Sequence, residues 1–144
     1  KKVKKGLLAK YYLVNEPWIP QTEGLKPIAK SKVTAPSSDI DKGNLVVFEG
    51  LISVPKDGEY TFYLTTNNKA FLRIHDATLI DEDFNYTAGE ERKAVIRLKA
   101  GMHPIKMHHF KFNNDKGEVK QMISLKWSSA ENAKQTIPAD AFFN

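Results

Sequence analysis

The sequence predicts an all-β fold, a mainly antiparallel β-sandwich with short helices or none. Apolar and polar residues alternate with a period of two over residues 60–65, 94–99 and 123–127, as in strands that bury one face. Glycine, proline and asparagine interrupt the chain between these stretches, where tight turns favour them. Prolines at positions 17, 20, 27 and 36 exclude a long helix from the first third of the chain.

The composition indicates one globular domain covering residues 1–144. With 41% hydrophobic and 27% charged residues, the chain can bury one core and has no room for a second full domain. Cysteine is absent, which excludes disulfides and thiolate metal sites. No apolar run reaches the length of about 18 residues that membrane insertion needs. The first residue is lysine and no secretory segment precedes the domain, so we expect a piece of a larger multidomain protein.

The charge balance is basic, with 22 Lys and Arg against 17 Asp and Glu and a net charge of +5. The lysines are scattered along the sequence, which favours a solvated surface over a surface for an anionic ligand. Residues 1–5 form the only basic cluster, and no aromatic residue interleaves with it, as single-strand binders require. We therefore expect no nucleic-acid partner.

The first half of the chain is predicted to form an opening strand and a longer buried strand. The opening strand covers residues 6–12. Residues 14–41 are irregular, with Trp18 between two prolines and a short apolar island at Val33, and the prolines restrict any strand there to a sheet edge. Residues 45–54 are rich in Val, Ile and Phe, which favours a buried strand. The turn residues 55–58 end it.

The centre of the chain is predicted to contain three short strands around two turns. Residues 60–65 form the first strand, and Thr66-Asn67-Asn68-Lys69 interrupts it as a polar tip. Residues 71–74 form the second strand, His75 and Asp76 a tight turn, and residues 78–80 the third strand. Loops on a rigid scaffold commonly carry function, so we expect the functional site near the polar tip.

The last third continues the alternation of strands and turns. Residues 86–92 are polar and turn-like, and residues 94–98 form a strand that Ala100 and Gly101 close. Residues 102–112 are predicted as strand, residues 113–117 as a loop, and residues 123–127 as a final core strand.

In this order the motifs resemble the protective-antigen-type domain family, the PA-14 domain appended to bacterial glycosidases and sulfatases. The resemblance rests on Gly6-Leu7 before the Tyr11-Tyr12 pair, Phe48-x-Gly50 before Gly-x-Tyr-Thr-Phe at residues 58–62, Ala-Gly-x-His-Pro-Ile at residues 100–105, and the closing Ile137-Pro138. It implies a jelly-roll-like sandwich whose hallmark hairpin lies within residues 58–83. It also implies a place on glycan-degrading enzymes, adhesins or toxins.

The resemblance raises the question of calcium at the polar tip. In the sugar-binding adhesins of this family, an adjacent Asp-Asp pair at the tip holds a Ca²⁺ ion that coordinates sugar hydroxyls. The matching residues here are Asn67 and Asn68, followed by Lys69. Ca²⁺ prefers charged and neutral oxygen ligands, and this exchange removes two negative charges and adds a positive one. We therefore expect no metal cofactor, with a weak calcium site at Asn67 and Asn68 as the alternative if Asp81 or Asp83 reaches the tip.

No constellation in the sequence supports catalysis. Residues 81–83 form the one acidic run, and spacing suggests no partner carboxyl for a glycosidase pair. Ser128 and Ser129 lack the Gly-x-Ser-x-Gly elbow of a serine nucleophile. His108 and His109 are adjacent on a predicted strand, so their side chains leave opposite faces and cannot chelate one ion together. We expect surface or interface histidines, and a domain that is not itself an enzyme.

The resemblance implies a non-catalytic accessory module of a glycosidase or sulfatase that is secreted, periplasmic or on the cell surface. Its partner would be a carbohydrate or the catalytic domain of the parent chain; the alternative is an adhesive or purely structural interaction domain without a glycan ligand. The candidate contact residues are Asn67, Asn68, Lys69, Asp81, Asp83 and Trp18.

Four of the candidates have a chemical reason of their own. Asparagine amides donate and accept hydrogen bonds, as sugar hydroxyls require, and Trp18 offers an aromatic face for a sugar ring. Lys69 would attract a sulfate or carboxylate group on an acidic glycan. The alternative is structural: the two asparagines supply turn geometry, and Trp18 pins its own loop to the core.

Overall fold

The structure, a computed structural model, describes residues 3–15, 19, 24–37, 43–66, 69–75, 77–82, 90–110 and 123–144. The described strands are β1 (Leu7–Tyr12), β2 (Ala29–Val33), β3 (Leu45–Val54), β4 (Gly58–Thr66), β5 (Lys69–Ile74), β6 (Ala77–Glu82), β7 (Glu91–Leu98), β8 (Gly101–Phe110), β9 (Ile123–Ser129), β10 (Gln135–Thr136) and β11 (Phe142–Phe143). One short 3-10 helix covers Ala139–Ala141. The predicted all-β class is confirmed. In the described parts of the chain, no helix could span a membrane.

The strands form two antiparallel sheets packed as a sandwich. The larger sheet has the order β2-β1-β3-β8-β5-β6, with β11 also paired to β3, and the smaller sheet has the order β10-β9-β4-β7. The opening strand, the buried strand at residues 45–54 and the last core strand occur where the sequence predicted them. Strand β2 lies at an edge of the larger sheet, as the surrounding prolines required.

The chain changes sheets between Thr66 and Lys69. Strand β4 pairs with β7 and β9 in the smaller sheet, whereas β5 pairs with β6 and β8 in the larger sheet. The resemblance implied a hairpin within residues 58–83, but the two strands that flank the polar tip do not form it. The hairpin of this region is β5–β6, and it turns at His75, which has a left-handed backbone with φ 58°. A period of two identifies a strand but does not identify its partner.

The main core lies between the two sheets. In the smaller sheet Tyr60, Phe62 and Leu64 of β4 are buried, and the Phe62 ring packs against Trp127 with ring centroids 6.3 Å apart. The larger sheet contributes apolar side chains that include Phe48 of β3. The alternation predicted for β4 therefore matches its burial.

A second apolar cluster lies on the outer face of the larger sheet. It consists of Tyr12, Val14, Ile19, Leu45, Val47 and Phe110, with Phe71 packed against it. Strand β3 sends Val46 and Phe48 into the main core and Leu45 and Val47 into the outer cluster. Burial on both faces explains why this part of β3 is continuously apolar.

Candidate functional site

The structure describes two of the residues predicted to contact a ligand. These are Lys69 and Asp81; Asn67, Asn68, Asp83 and Trp18 lie outside the described residues. Lys69 opens β5 opposite Phe110 of β8, and Asp81 of β6 lies opposite Phe71 of β5. Paired residues share a face of a sheet, as do residues two apart on one strand. Lys69 and Asp81 therefore occupy diagonal positions on the outer face, at the tip end of the larger sheet.

This arrangement suits hydroxyl groups better than calcium. The Asp81 side chain is exposed, whereas Lys69 is partly buried and puts an ammonium group on the same face. Among the side chains that the structure describes at this end, Asp81 is the carboxylate and Lys69 the neighbouring ammonium, and a positive charge beside the carboxylate opposes a divalent cation. A hydroxyl group can accept from an ammonium and donate to a carboxylate. Among the described residues, no group of three or more His, Cys, Asp or Glu is placed to hold a metal ion.

The adjacent histidines of β8 leave opposite faces, as predicted, but both are buried. His109 lies between Val46 and Ala70 on the inner face. His108 lies on the outer face and stacks on Phe71, with ring centroids 4.0 Å apart. The expectation of surface or interface histidines is wrong for this pair, because β8 lies between β3 and β5 inside the sheet.

Burial keeps both of these imidazoles neutral. It lowers the pKa of His109 to about 4. For His108, burial is the main cause and the positive charges of Lys106 and Arg73 add to it, so that its pKa falls to about 3. Both residues therefore serve packing, and neither is placed for acid–base chemistry at neutral pH.

The other two histidines form a hydrogen-bonded pair at the opposite end of the larger sheet. His75 Nε2 lies 2.8 Å from His103 Nδ1, and His103 Nε2 lies 2.6 Å from the carbonyl oxygen of Lys99. Since a carbonyl oxygen only accepts, His103 carries its hydrogen on Nε2 and accepts from His75 Nε2. In the neutral pair, His75 Nδ1 is then a hydrogen-bond acceptor.

Charged residues that are far apart in the sequence meet on the outer face of the larger sheet. Lys10 Nζ lies 2.5 Å from Glu49 Oε1, and Lys106 Nζ lies 3.8 Å from Glu49 Oε2. The hydrogen bond to Glu49 raises the pKa of Lys10, although burial opposes the shift. Arg73 lies opposite Lys106 on the neighbouring strand. Lys10, Arg73 and Lys106 are thus far apart in the sequence but share one face of the folded domain.

The sequence interpretation did not single out Glu49 or Lys106. One signal was present, since Glu49 is the only charged residue among the ten of β3. A single carboxylate in an apolar strand marks a position where the strand face meets water or a partner.

Comparison with known proteins identifies a family. The family model of the PA14 domain matches residues 3–141. A comparison with curated protein sequences finds no match.

Solved structures share the fold. An anti-sigma factor domain-containing protein is 26% identical with a TM-score of 0.77, covering 99% of this chain and 49% of that one. The chain thus spans about half the length of that protein. A PA14 sugar-binding domain from an RTX adhesin is 13% identical with a TM-score of 0.68, covering 96% of this chain and 98% of that one. A β-glucosidase from Kluyveromyces marxianus, solved in complex with glucose, is 19% identical with a TM-score of 0.67, covering 87% of this chain and 16% of that one.

The family model and the structure agree over nearly the whole chain. Matches at 13% and 19% identity establish the fold alone, and the described strands form the same kind of sandwich. With the family model covering residues 3–141, the chain belongs to the PA14 domain family.

Proposed function

We propose that this domain is a non-catalytic carbohydrate-binding module of a glycan-degrading enzyme. The observation that carries the proposal is the likeness, over 96% of this chain, to a PA14 domain described as sugar-binding. The likeness to part of a β-glucosidase supports an enzyme parent. The sequence motifs resemble copies on both glycosidases and sulfatases, so either parent is consistent with the proposal. Such a parent would be secreted, periplasmic or on the cell surface.

The proposed contact surface is the tip end of the larger sheet. Lys69 and Asp81 provide a donor and an acceptor on one face there. Asn67, Asn68, Asp83 and Trp18 remain proposed contacts, because they neighbour this surface in sequence or offer a stacking face. Lys69 adds a preference for glycans that carry sulfate or carboxylate groups.

A glycan array tests the proposal. We expect the wild-type domain to bind at least one glycan class, and Lys69→Ala and Asp81→Ala to weaken that binding about tenfold. Lys93→Ala is the matched control, since Lys93 is an exposed lysine of β7 on the other sheet. Absence of binding to any glycan would overturn the proposal. If the domain binds a glycan and neither Lys69→Ala nor Asp81→Ala weakens that binding, the contact surface lies elsewhere on the domain.

Packing against the catalytic domain of the parent chain is the competing role within this proposal. In that case the same face would be covered by the neighbouring domain and would shape or cover its active site. A comparison of amide hydrogen exchange in the full-length protein and in the isolated domain distinguishes the two roles. A packed face is protected from exchange only in the full-length chain.

A second candidate function is ligand binding within a regulatory protein. It is favoured by the 26% identity, over 99% of this chain, to an anti-sigma factor domain-containing protein. The neighbouring domain of the full-length chain decides between the candidates: a glycosidase or sulfatase domain supports the first and an anti-sigma factor domain the second. Adhesive repeats would instead favour an adhesive or purely structural domain.

A further inference from the structure

A groove opens on the outer face of the larger sheet, away from the tip. Its volume is about 440 Å³, and it lies over the middle of β3 where β1, β8 and the β5–β6 turn border it. His75 at its rim is separated from Lys69 by the length of β5, about 20 Å at the rise of an extended strand. The groove is therefore a separate surface from the proposed tip site.

The floor of the groove is apolar. Leu8, Leu51 and Pro104 line it together with the backbone of Gly50. Leu8 is paired with Glu49, and Leu51 with Pro104, so these side chains occupy the outer face rather than the core. The two leucines are only partly buried. Such a patch suits the C–H face of a sugar ring, which is apolar.

One wall of the groove carries a carboxylate and an ammonium group. Glu49 Oε1 is held by Lys10 at 2.5 Å, which fixes the orientation of the carboxylate. Glu49 Oε2 lies 3.8 Å from Lys106 Nζ, which is longer than a direct hydrogen bond. A ligand hydroxyl lying against both groups would accept from the ammonium and donate to the carboxylate.

The opposite wall adds a second acceptor. The hydrogen bonds of the His75–His103 pair leave His75 Nδ1 as an acceptor, and the His75 ring lines the groove. A ligand with several hydroxyls can therefore donate to Glu49 and to His75 while it accepts from Lys106. Two ammonium groups against one carboxylate disfavour a cationic ligand.

We propose that this groove is a second saccharide-binding site, which holds a sugar ring on its apolar floor while one ring hydroxyl contacts both Glu49 and Lys106. The volume of about 440 Å³ lies within the usual range for small-ligand sites. This second site rests on the proposed carbohydrate-binding function and extends it to a second surface of the same domain. Two sites on one module increase its avidity for a polysaccharide.

The test is an NMR titration of the ¹⁵N-labelled domain with cellobiose, maltose and lactose. We expect at least one disaccharide to shift the amide signals of Gly50, Leu51 and Lys106. We expect Glu49→Gln and Lys106→Met to weaken that binding about tenfold or more, as for the loss of a hydrogen bond to a charged group. Thermal unfolding of each variant establishes that the fold is retained.

Matched controls lie on the other sheet. Glu59→Gln and Lys93→Met make the same chemical changes at exposed positions of β4 and β7, and both should leave binding unchanged. Shifts confined to the Lys69 end of β5 and abolished by Lys69→Ala would overturn the second site and leave the proposed function standing. Absence of shifts with all three disaccharides would also overturn the second site, whereas the glycan array judges the proposed function separately.

Discussion

Acid is expected to destabilise this domain because two histidines are buried as neutral imidazoles. His109 is fully buried, and neither of its ring nitrogens has a hydrogen-bond partner among the described residues. Its pKa is lowered to about 4 and that of His108 to about 3, from an ordinary value of 6.5. The unfolded chain therefore takes up protons that the folded chain does not.

The direction and size of the effect follow from this difference. Because both folded-state pKa values lie below 6.5, stability is greatest above that pH and is lost as the pH falls toward about 4 for His109 and about 3 for His108. A pH of 5 lies about 1.5 units below the ordinary pKa of an imidazole in the unfolded chain. Each unit corresponds to about 1.4 kcal/mol in the free energy of unfolding. Each histidine therefore lowers the free energy of unfolding by about 2 kcal/mol between pH 7 and pH 5, and both together by about 4 kcal/mol. The total free energy of unfolding of a domain is only about 5–15 kcal/mol.

Urea unfolding at pH 7 and pH 5, followed by tryptophan fluorescence, measures this loss. Replacement of His109 by leucine, His109→Leu, should remove about half of the pH dependence, since leucine fills the apolar position without a titratable group. The matched control is Met107→Leu, a buried residue of the same strand and core, which should retain the full dependence. Equal free energies of unfolding at the two pH values would refute the reasoning, as would an undiminished dependence in His109→Leu.

Three further substitutions, one of them a control, test close backbone contacts and the anchoring of the segment after β1. Gly50→Ala should lower the free energy of unfolding by about 2 kcal/mol or more in thermal unfolding, because a Cβ there would overlap the carbonyl oxygen of Phe143 in β11. Gly24→Ala, where a Cβ meets no atom within 4 Å but φ is +87°, should lose only about 1 kcal/mol from backbone strain, and an equal loss in both would contradict this explanation. Asn44→Ala should cost about 1–3 kcal/mol and speed proteolysis after β1, because its side chain accepts from Val14 N at 2.9 Å and donates to Val14 O at 2.8 Å. Unchanged cleavage in that segment would count against this anchoring role.

The strands were predictable because side-chain periodicity reports directly on burial. Tyr60, Phe62 and Leu64 alternate in the sequence and are buried together in the structure. The pairing of strands was harder to predict from the sequence. The alternation of apolar and polar residues in β4 and β5 is the same whether the two strands form a hairpin or lie in different sheets. Their separation depends on which neighbours bury them, and that is a property of the whole fold.

The candidate sites were predictable only where their residues are close in sequence. Lys69 and Asp81 occupy diagonal positions on one face because β5 and β6 form a hairpin, and its register shifts between Leu72 and Arg73. No local sequence pattern indicates such a shift in register. The cluster of Lys10, Glu49 and Lys106 combines three strands. It follows from sheet order and register, which composition and spacing do not contain.

The single carboxylate of β3 occupies a position that an apolar residue could also fill. Glu49 lies between Leu8 and Lys106 on the outer face of the sheet, where a leucine would extend the apolar floor of the groove. Its side chain is only 25% exposed, so partial removal from water costs free energy, and the ion pair with Lys10 offsets that cost. Apolar residues in place of a partly buried ion pair are often equally stabilising or more so. The structure gives Glu49 one use, the neutralisation of Lys10 and Lys106, and the proposed groove site would give it a second, as the acceptor for a ligand hydroxyl.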